Sequence, residues 1–367
     1  MDRRTFLTAT AAIGGLSAAS AFLPKAISAA AAAPAADLAP DIKWRRFKIE
    51  VEAAPAVASG PLKMWLPVPS QTPYQRVRSI RWTPGGAAAD SGEFYDDIYR
   101  APMIYTTWPG GSAVAPSRAV FEIETRDYAA DLKAAAKIRR MEADPSVALY
   151  LKPTKHMPIA GIVQDSATKM VAGKHTPLEK AQAIYDWIVD NTFRDPKVKG
   201  CGIGDIKFML ESGNLGGKCA DLNALFVGLA RAAGLPAREV YGIRVAASRQ
   251  FKSLGSSGNI SKAQHCRAEF HITGVGWIPV DPADVRKAIL QEKLPLQDPK
   301  IVALRKRLFG YWEMNWMAYN SARDFSLPNG PKDPFNFLMY PEAEHKSDWL
   351  DGIDPNAFKY KITSTEV

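Results

Sequence analysis

The chain of 367 residues is 47% hydrophobic and 23% charged, with 47 Lys and Arg against 38 Asp and Glu and a formal net charge of +9. Such a composition excludes a wholly disordered or fibrous chain and indicates a globular protein. The densest basic group, Arg305-Lys306-Arg307, is only a triplet, and the other cations are spread evenly along the sequence. A solvated basic surface is therefore favoured over nucleic-acid binding, while contact with an anionic component of the cell envelope stays open.

Residues 1–36 are predicted to be a twin-arginine signal peptide and leader. Arg3-Arg4-Thr5-Phe6-Leu7 precedes an uncharged stretch that ends at Leu23, and Ala-rich cleavage sites follow it. The stretch is rich in Ala, Gly, Thr and Ser rather than strongly apolar, which favours a cleaved signal over a membrane anchor. Hence we expect a periplasmic protein with no stable membrane span after removal of the signal. The sequence does not indicate an oligomeric state.

Three regions follow the leader. Residues 41–133 alternate apolar and polar side chains between Pro and Gly residues, which predicts a small N-terminal domain resembling a β-sandwich. Residues 134–290 combine helix and strand signals and are expected to form the catalytic domain. Residues 291–367 are rich in aromatic side chains, which predicts a C-terminal extension packed on the core.

Two helices are well specified in the central region. Thr176, Pro177 and Glu179 form a capping-box arrangement, which predicts a helix from position 177. A second, apolar helix is predicted to begin at or just before Cys219 and to stop at Gly234-Leu235-Pro236. A thiol at a helix N-terminus has a lowered pKa, because unpaired N–H groups and the helix dipole stabilise the thiolate. Cys219 is therefore the candidate nucleophile, and its own N–H is a candidate oxyanion donor.

A predicted hairpin within residues 265–281 supplies a candidate base and its partner. A nucleophile needs a base, and the base needs a residue that orients it. If the turn is centred on Thr273, His265 lies directly opposite Asp281, about 5 Å away at Cβ. The other histidine of this strand, His271, would then lie at the mouth of the turn with no carboxylate opposite it. The register therefore favours His265 as the base and Asp281 as the orienting residue.

The cysteines and histidines allow other interpretations. Cys201, Cys219 and Cys266 could all be buried apolar residues, or Cys201 and Cys266 could form a disulfide that leaves Cys219 free. Metal binding is disfavoured, because C-x-x-C and H-E-x-x-H spacings are absent and Cys266 alternates to the strand face opposite His265. We expect neither a metal nor a cofactor. Asn214 is a candidate oxyanion partner by its chemistry alone, and a turn-forming role is the alternative.

Three blocks of sequence resemble the bacterial transglutaminase-like superfamily, over about residues 175–285. The block that resembles the family's nucleophile motif is Gly217-Lys218-Cys219-Ala220-Asp221. The block that resembles its histidine motif is His265-Cys266-Arg267-Ala268-Glu269-Phe270. The block that resembles its aspartate motif is Gly276-Trp277-Ile278-Pro279-Val280-Asp281-Pro282. The resemblance implies an α+β, papain-like core in which a helix that carries the cysteine packs on an antiparallel sheet that carries the histidine and the aspartate.

The resemblance also implies a catalytic triad of Cys219, His265 and Asp281, although the chain has Arg267 where many members have an aromatic residue. The implied activities are transamidation, peptide or isopeptide hydrolysis, and deamidation, all on a peptide or protein substrate. Hydrolysis is favoured over cross-linking, because water at ~55 M greatly exceeds amines in a dilute compartment. The alternative is a catalytically silent scaffold or binding protein of the cell envelope.

Overall fold

The structure is a computed structural model that describes residues 43–367, so the predicted signal and leader lie outside the described residues. The strands are β1 (Arg45–Pro55), β2 (Leu62–Pro67), β3 (Gln75–Thr83), β4 (Asp90–Tyr95), β5 (Pro102–Trp108), β6 (Ser117–Thr125), β7 (Tyr128–Ala129), β8 (Phe193–Arg194), β9 (Gly216–Gly217), β10 (Ala237–Arg244), β11 (Gly258–Asn259), β12 (Gln264–Ile272), β13 (Gly276–Val280), β14 (Tyr311–Trp312), β15 (Trp316–Asn320), β16 (Glu342–His345), β17 (Asp348–Leu350) and β18 (Phe358–Glu366). The helices are α1 (Leu132–Ala135), α2 (Ile162–Met170), α3 (Pro177–Asn191), α4 (Ile206–Ser212), α5 (Cys219–Ala232), α6 (Pro282–Gln291) and α7 (Pro299–Arg307).

The N-terminal region is β-rich, as its alternating pattern predicts. Its strands lie in two five-stranded sheets, ordered β11-β18-β1-β6-β3 and β17-β16-β2-β5-β4. Both sheets contain C-terminal strands: β18 pairs with β1 along its length, and β16 pairs with β2. The C-terminal segment is thus hydrogen-bonded into the sheets of the N-terminal region as well as packed against the rest of the chain.

The central region has the expected helix-on-sheet arrangement. Helix α5 packs on β12 and β10 of the four-stranded antiparallel sheet β13-β12-β10-β15. It is buried almost all round, as an apolar helix at the centre of a domain should be. Helix α3 begins with the predicted capping box, in which Thr176 accepts from the Glu179 N–H and Glu179 accepts from the Thr176 N–H. These elements hold the first residue of α5 against the start of β12.

The predicted register of the β12–β13 hairpin is wrong by two residues. Ile272 pairs with Gly276 and Ala268 with Val280, so the turn is centred on Gly274. Gly274 and Gly276 have φ of 86° and 101°, a conformation that favours glycine and accommodates a three-residue turn. Asp281 consequently lies beyond the end of β13, where its side chain caps α6 by accepting from the Asp284 N–H.

Among the helices of residues 43–367, none combines the length and the apolar character needed to cross a bilayer.

Candidate active site

Cys219 is the first residue of α5, and the backbone around it is organised by Asp221. The Asp221 carboxylate accepts hydrogen bonds from the N–H groups of Lys218 at 2.9 Å, Gly204 at 2.8 Å and Ile203 at 3.0 Å. A Cβ at Gly217 would lie 2.5 Å from the Asp221 Cβ, so only glycine leaves room for this carboxylate. The Cys219 thiol is therefore held at a helix N-terminus, where the helix dipole favours a negative charge.

His265 and Asp281 meet although they are not cross-strand partners. The Nε2 atom of His265 lies 2.7 Å from Asp281 Oδ2, and both side chains are buried. Asp281 approaches from the N-terminus of α6, and its Oδ1 atom also accepts from Asn223 Nδ2 at 3.3 Å. Because Nε2 is engaged by the carboxylate, Nδ1 is the imidazole nitrogen left for the thiol. The structure thus brings Cys219, His265 and Asp281 together in the order that general-base activation of a thiol requires.

The three cysteines form a cluster of free, buried thiols, so the disulfide considered between Cys201 and Cys266 is absent. Hydrogen bonds from Cys201 and then Cys266 lower the pKa of Cys219 well below its usual value, and His265 contributes further, while burial opposes the shift. Cys266 therefore lies close to Cys219, although it follows His265 directly in β12 and alternates to the other face of the strand. The Ala220 N–H donates to the Cys201 carbonyl at 2.9 Å, which holds the two cysteine backbones side by side.

The pKa of His265 is raised, whereas that of Cys219 is lowered. Burial lowers its pKa and Arg244 acts in the same direction, but the carboxylates of Asp284 and Asp281 outweigh both and raise it to about 9. A thiol of lowered pKa beside an imidazole of raised pKa favours the thiolate–imidazolium pair at neutral pH.

Asp284 and Arg244 belong to this site but were not predicted from the sequence. Asp284 Oδ2 lies 3.4 Å from His265 Nε2, and its other oxygen accepts from Arg244 Nη2 at 2.6 Å. A signal for Asp284 was present, because an acidic residue three positions after the helix cap Asp281 is typical of a first helical turn. For Arg244, at the end of a separate strand, the sequence offered no comparable signal.

Arg267, the departure from the family pattern, lies behind Asp281. Its Nε atom is 3.6 Å from Asp281 Oδ2, and Nη1 donates to the Glu313 carbonyl at 3.0 Å. The guanidinium lies over the rings of Trp312 and Trp316, 5.5 and 4.8 Å from their centroids. Arg267 thus places a buried positive charge beside the Asp281 carboxylate, and its guanidinium is held there by the two indole rings.

His265, Asp281 and Asp284 also offer three ligand atoms within 4.8 Å of one another, a donor set able to hold a metal ion. Two guanidinium groups already balance the carboxylates: Arg244 on Asp284 and Arg267 beside Asp281. A divalent cation here would be repelled by both arginines, so the charge distribution favours a protein-only site.

Asn214 and His271 lie in settings that do not fit catalytic roles. Asn214 is exposed, and its side chain accepts from the Gly216 N–H at 3.1 Å, which is the turn-forming role. His271 packs against the edge of Trp277, its strand partner, and burial lowers its pKa. Among residues 43–367, the His271 Nδ1 atom has no hydrogen-bond partner.

A cavity of about 820 Å³ opens beside these residues. Its lining includes Lys218, which precedes Cys219, and Gln264, which precedes His265. Cys201 and Arg244 line it as well, whereas Cys219 itself is only 2% exposed. The C-terminal segment forms one wall through Tyr340 and residues 352–360.

Two solved structures are similar to this chain at low sequence identity. A candidate cysteine protease of Cytophaga hutchinsonii aligns over 88% of this chain and 98% of its own, at 16% identity and a TM-score of 0.53. The periplasmic domain of TgpA from Pseudomonas aeruginosa, bound to ethylmercury, aligns over 65% of this chain and 90% of its own, at 16% identity and a TM-score of 0.34. The first similarity supports a shared fold, and the second is too weak to add to it.

Sequence comparison assigns the family. The transglutaminase-like superfamily matches residues 164–282, a segment that contains the helix of Cys219 and the hairpin of His265. An uncharacterized protein of Haemophilus influenzae is 39% identical over 328 residues, which cover 85% of this chain and 88% of that protein. The match, the α+β core and the shared fold agree with the resemblance found in the sequence blocks. This chain belongs to the transglutaminase-like superfamily.

Proposed function

We propose that this protein is an exported thiol acyl-transfer enzyme in which Cys219 is the nucleophile, His265 the general base and acid, and Asp281 the residue that orients the imidazole. The observation that carries the proposal is the buried 2.7 Å contact between His265 and Asp281 beside a thiol whose pKa is lowered. Groups that act as a triad need this mutual geometry before their pKa values matter.

The proposed reaction starts from a Cys219 thiolate and a His265 imidazolium. The Cys219 thiolate attacks the carbonyl carbon of a peptide, isopeptide or glutamine carboxamide bond, and the C–N bond breaks as the His265 imidazolium donates its proton to the leaving amine or ammonia. A thioester remains on Cys219. The now neutral His265 removes a proton from water, the resulting hydroxide attacks the thioester, and the acid product and the thiolate are released.

Water is the acceptor that we favour. An incoming amine would complete a transamidation by the same steps, but water at ~55 M competes with far scarcer amines unless an amine site is built in. The expected products are therefore those of a protease or amidase. Export through the twin-arginine pathway to the periplasm is part of the proposal, and it depends on the motif at Arg3-Arg4.

Turnover of defined substrates tests the proposal. Four proteins are compared: wild type, Cys219→Ala, and the matched pair His265→Asn and His271→Asn. Each is incubated with unmodified peptides, and separately with glutamine donors plus an amine. The products are identified by mass spectrometry. Wild type and His271→Asn should release free peptide or ammonia, whereas Cys219→Ala and His265→Asn should not. Faster joining of the amine than release of ammonia would overturn the hydrolytic assignment.

The same proteins distinguish an enzyme from a silent scaffold. Cys219 should react with iodoacetamide near neutral pH faster than an ordinary thiol, and His265→Asn should slow this reaction. A Cys219 that alkylates no faster than a free cysteine, in a protein that turns over none of the substrates, would support the scaffold.

A further inference from the structure

The cavity beside Cys219 is strongly cationic, although positive charge is spread evenly along the sequence. Seven Lys and Arg side chains line it, and the lining residues include neither Asp nor Glu. Arg244 is one of the seven; the others are Arg194, Lys218, Lys252, Lys262, Lys287 and Lys359. The seven residues are scattered between positions 194 and 359, so only folding gathers them.

Arg244 is the exception among these cations, because it is neutralised by Asp284 at 2.6 Å. Within residues 43–367, the other six have no carboxylate within 4.0 Å. The carboxylates nearby make their hydrogen bonds and ion pairs with other groups: Glu292 accepts from the Ser253 N–H, and Asp351 pairs with Lys199. Glu292 acts on Lys252 and Lys287 only through longer-range attraction. Many arginines outside the cavity, by contrast, pair with carboxylates, as Arg305 does with both Asp186 and Asp190.

A group of unpaired cations around one concavity is electrostatically unfavourable in the empty protein. Lys287 shows the cost, because burial first and then Arg244 lower its pKa to about 8. A concave, low-dielectric surface lined by one sign of charge raises the local concentration of ligands of the other sign. The cavity therefore has the charge of a binding site for an anion, and its volume of about 820 Å³ lies in the range of ligand-binding clefts.

We propose that the cavity binds an acidic peptide, so that the acyl donor of this enzyme carries carboxylates close to the amide bond presented to Cys219. This assignment of the substrate class rests on the proposed function. The position of the cavity supports it, because Lys218 and Gln264, the neighbours of the nucleophile and the histidine, both line it. A peptide chain also suits the mixed wall, where Tyr340, Phe358 and Tyr360 add apolar surface beside the lysines.

Binding is measured separately from turnover, with full-length Cys219→Ala protein and calorimetry. The probes are an Asp-rich peptide that contains one Gln and its counterpart with every Asp replaced by Asn. A third probe, pyrophosphate, tests whether any compact polyanion suffices. We expect the Asp-rich peptide to bind at least about tenfold more tightly than the Asn peptide at low salt, with the difference shrinking at high salt.

Charge-matched variants locate the binding surface. Lys252, Lys262 and Lys359 are exposed and line the cavity. Changing all three to Gln should weaken binding of the Asp-rich peptide about tenfold, because each ion pair lost between a lysine and the peptide costs ~0.5 kcal/mol. Lys133, Lys137 and Lys174 are equally exposed and lie outside the cavity lining, and the same triple change there should alter binding less than about twofold. Equal losses in the two triple variants would overturn the proposal.

The outcomes separate the two proposals. Tight, cavity-dependent binding of the Asp-rich peptide without turnover by wild type leaves the binding site in place and removes the enzymatic function. Turnover of both peptides at equal kcat/KM removes the acidic-peptide preference and leaves the enzyme. Pyrophosphate that binds as tightly as the peptide and displaces it would also overturn the peptide assignment.

Discussion

Arg244 and Asp284 form an ion pair of 2.6 Å in which each side chain is only 3% exposed. Asp284 simultaneously lies 3.4 Å from His265 Nε2, so the pair forms part of the wall behind the imidazole. Both residues lie outside the three sequence blocks that resemble the family. The charge of His265 therefore depends on groups that the motifs do not contain, and this dependence can be tested.

Breaking the ion pair from one side should destabilise the protein. Asp284→Asn leaves the buried Arg244 charge with its hydrogen bond to the Leu254 carbonyl but without its paired carboxylate, which costs about 3–5 kcal/mol in the free energy of unfolding. The double variant Arg244→Met, Asp284→Leu buries no lone charge and should cost much less than the sum of the single changes. Urea unfolding of the single and double variants measures this, and strictly additive losses would contradict the argument.

The stability of the fold should depend on pH through His265. Its pKa is raised from 6.5 to about 9, so the stabilisation from the protonated imidazole is complete below pH 6.5 and is lost as pH rises through about 9. The free energy of unfolding should fall more steeply between these pH values in wild type than in His265→Asn. Identical pH dependence of the two proteins would argue against a protonated His265.

The thiol cluster should set the pH at which Cys219 becomes reactive. Cys201→Ala removes the hydrogen bond that contributes most to the lowered pKa of Cys219, so the midpoint of its alkylation rate should move to higher pH. Cys201→Ser keeps a hydrogen-bond donor and should restore most of the shift. Mass spectrometry of the peptide that contains Cys219 follows the reaction, and an unmoved midpoint in Cys201→Ala would rule out this role.

Asn214→Ala should leave catalysis nearly unchanged. Loss of an oxyanion donor typically lowers kcat about 10²–10³-fold, whereas loss of an exposed turn residue affects only local stability. Since the Asn214 side chain is exposed and accepts from Gly216, we expect kcat/KM within about twofold of wild type. A hundredfold decrease in kcat/KM would instead indicate that Asn214 is an oxyanion donor.

Removal of metal ions should not affect activity. The carboxylates beside His265 are balanced by Arg244 and Arg267, so the proposed reaction needs no ion there. Kinetics after dialysis against a chelator should match those of the untreated protein, and added zinc should not increase the rate. Activity that disappears with chelation and returns with metal would assign the three candidate ligands to a metal site instead.

Local patterns in the sequence determined much of the core. The capping box at Thr176, the helix that begins at Cys219 and the existence of the hairpin each depend on residues a few positions apart. Backbone hydrogen bonding, helical periodicity and turn chemistry act over that range, so a single sequence contains the information. The family blocks then indicated which of the cysteines and histidines lie together.

Tertiary structure alone decided the remaining relationships, because they join segments far apart in the chain. The glycine turn shifts the hairpin register by two residues, and Asp281 still reaches His265 because it caps the next helix. Strand β18 enters the sheet beside β1, more than 300 positions earlier. The cationic cavity arises in the same way: sequence shows the number of charges, but their mutual distances and unpaired state exist only once the chain has folded.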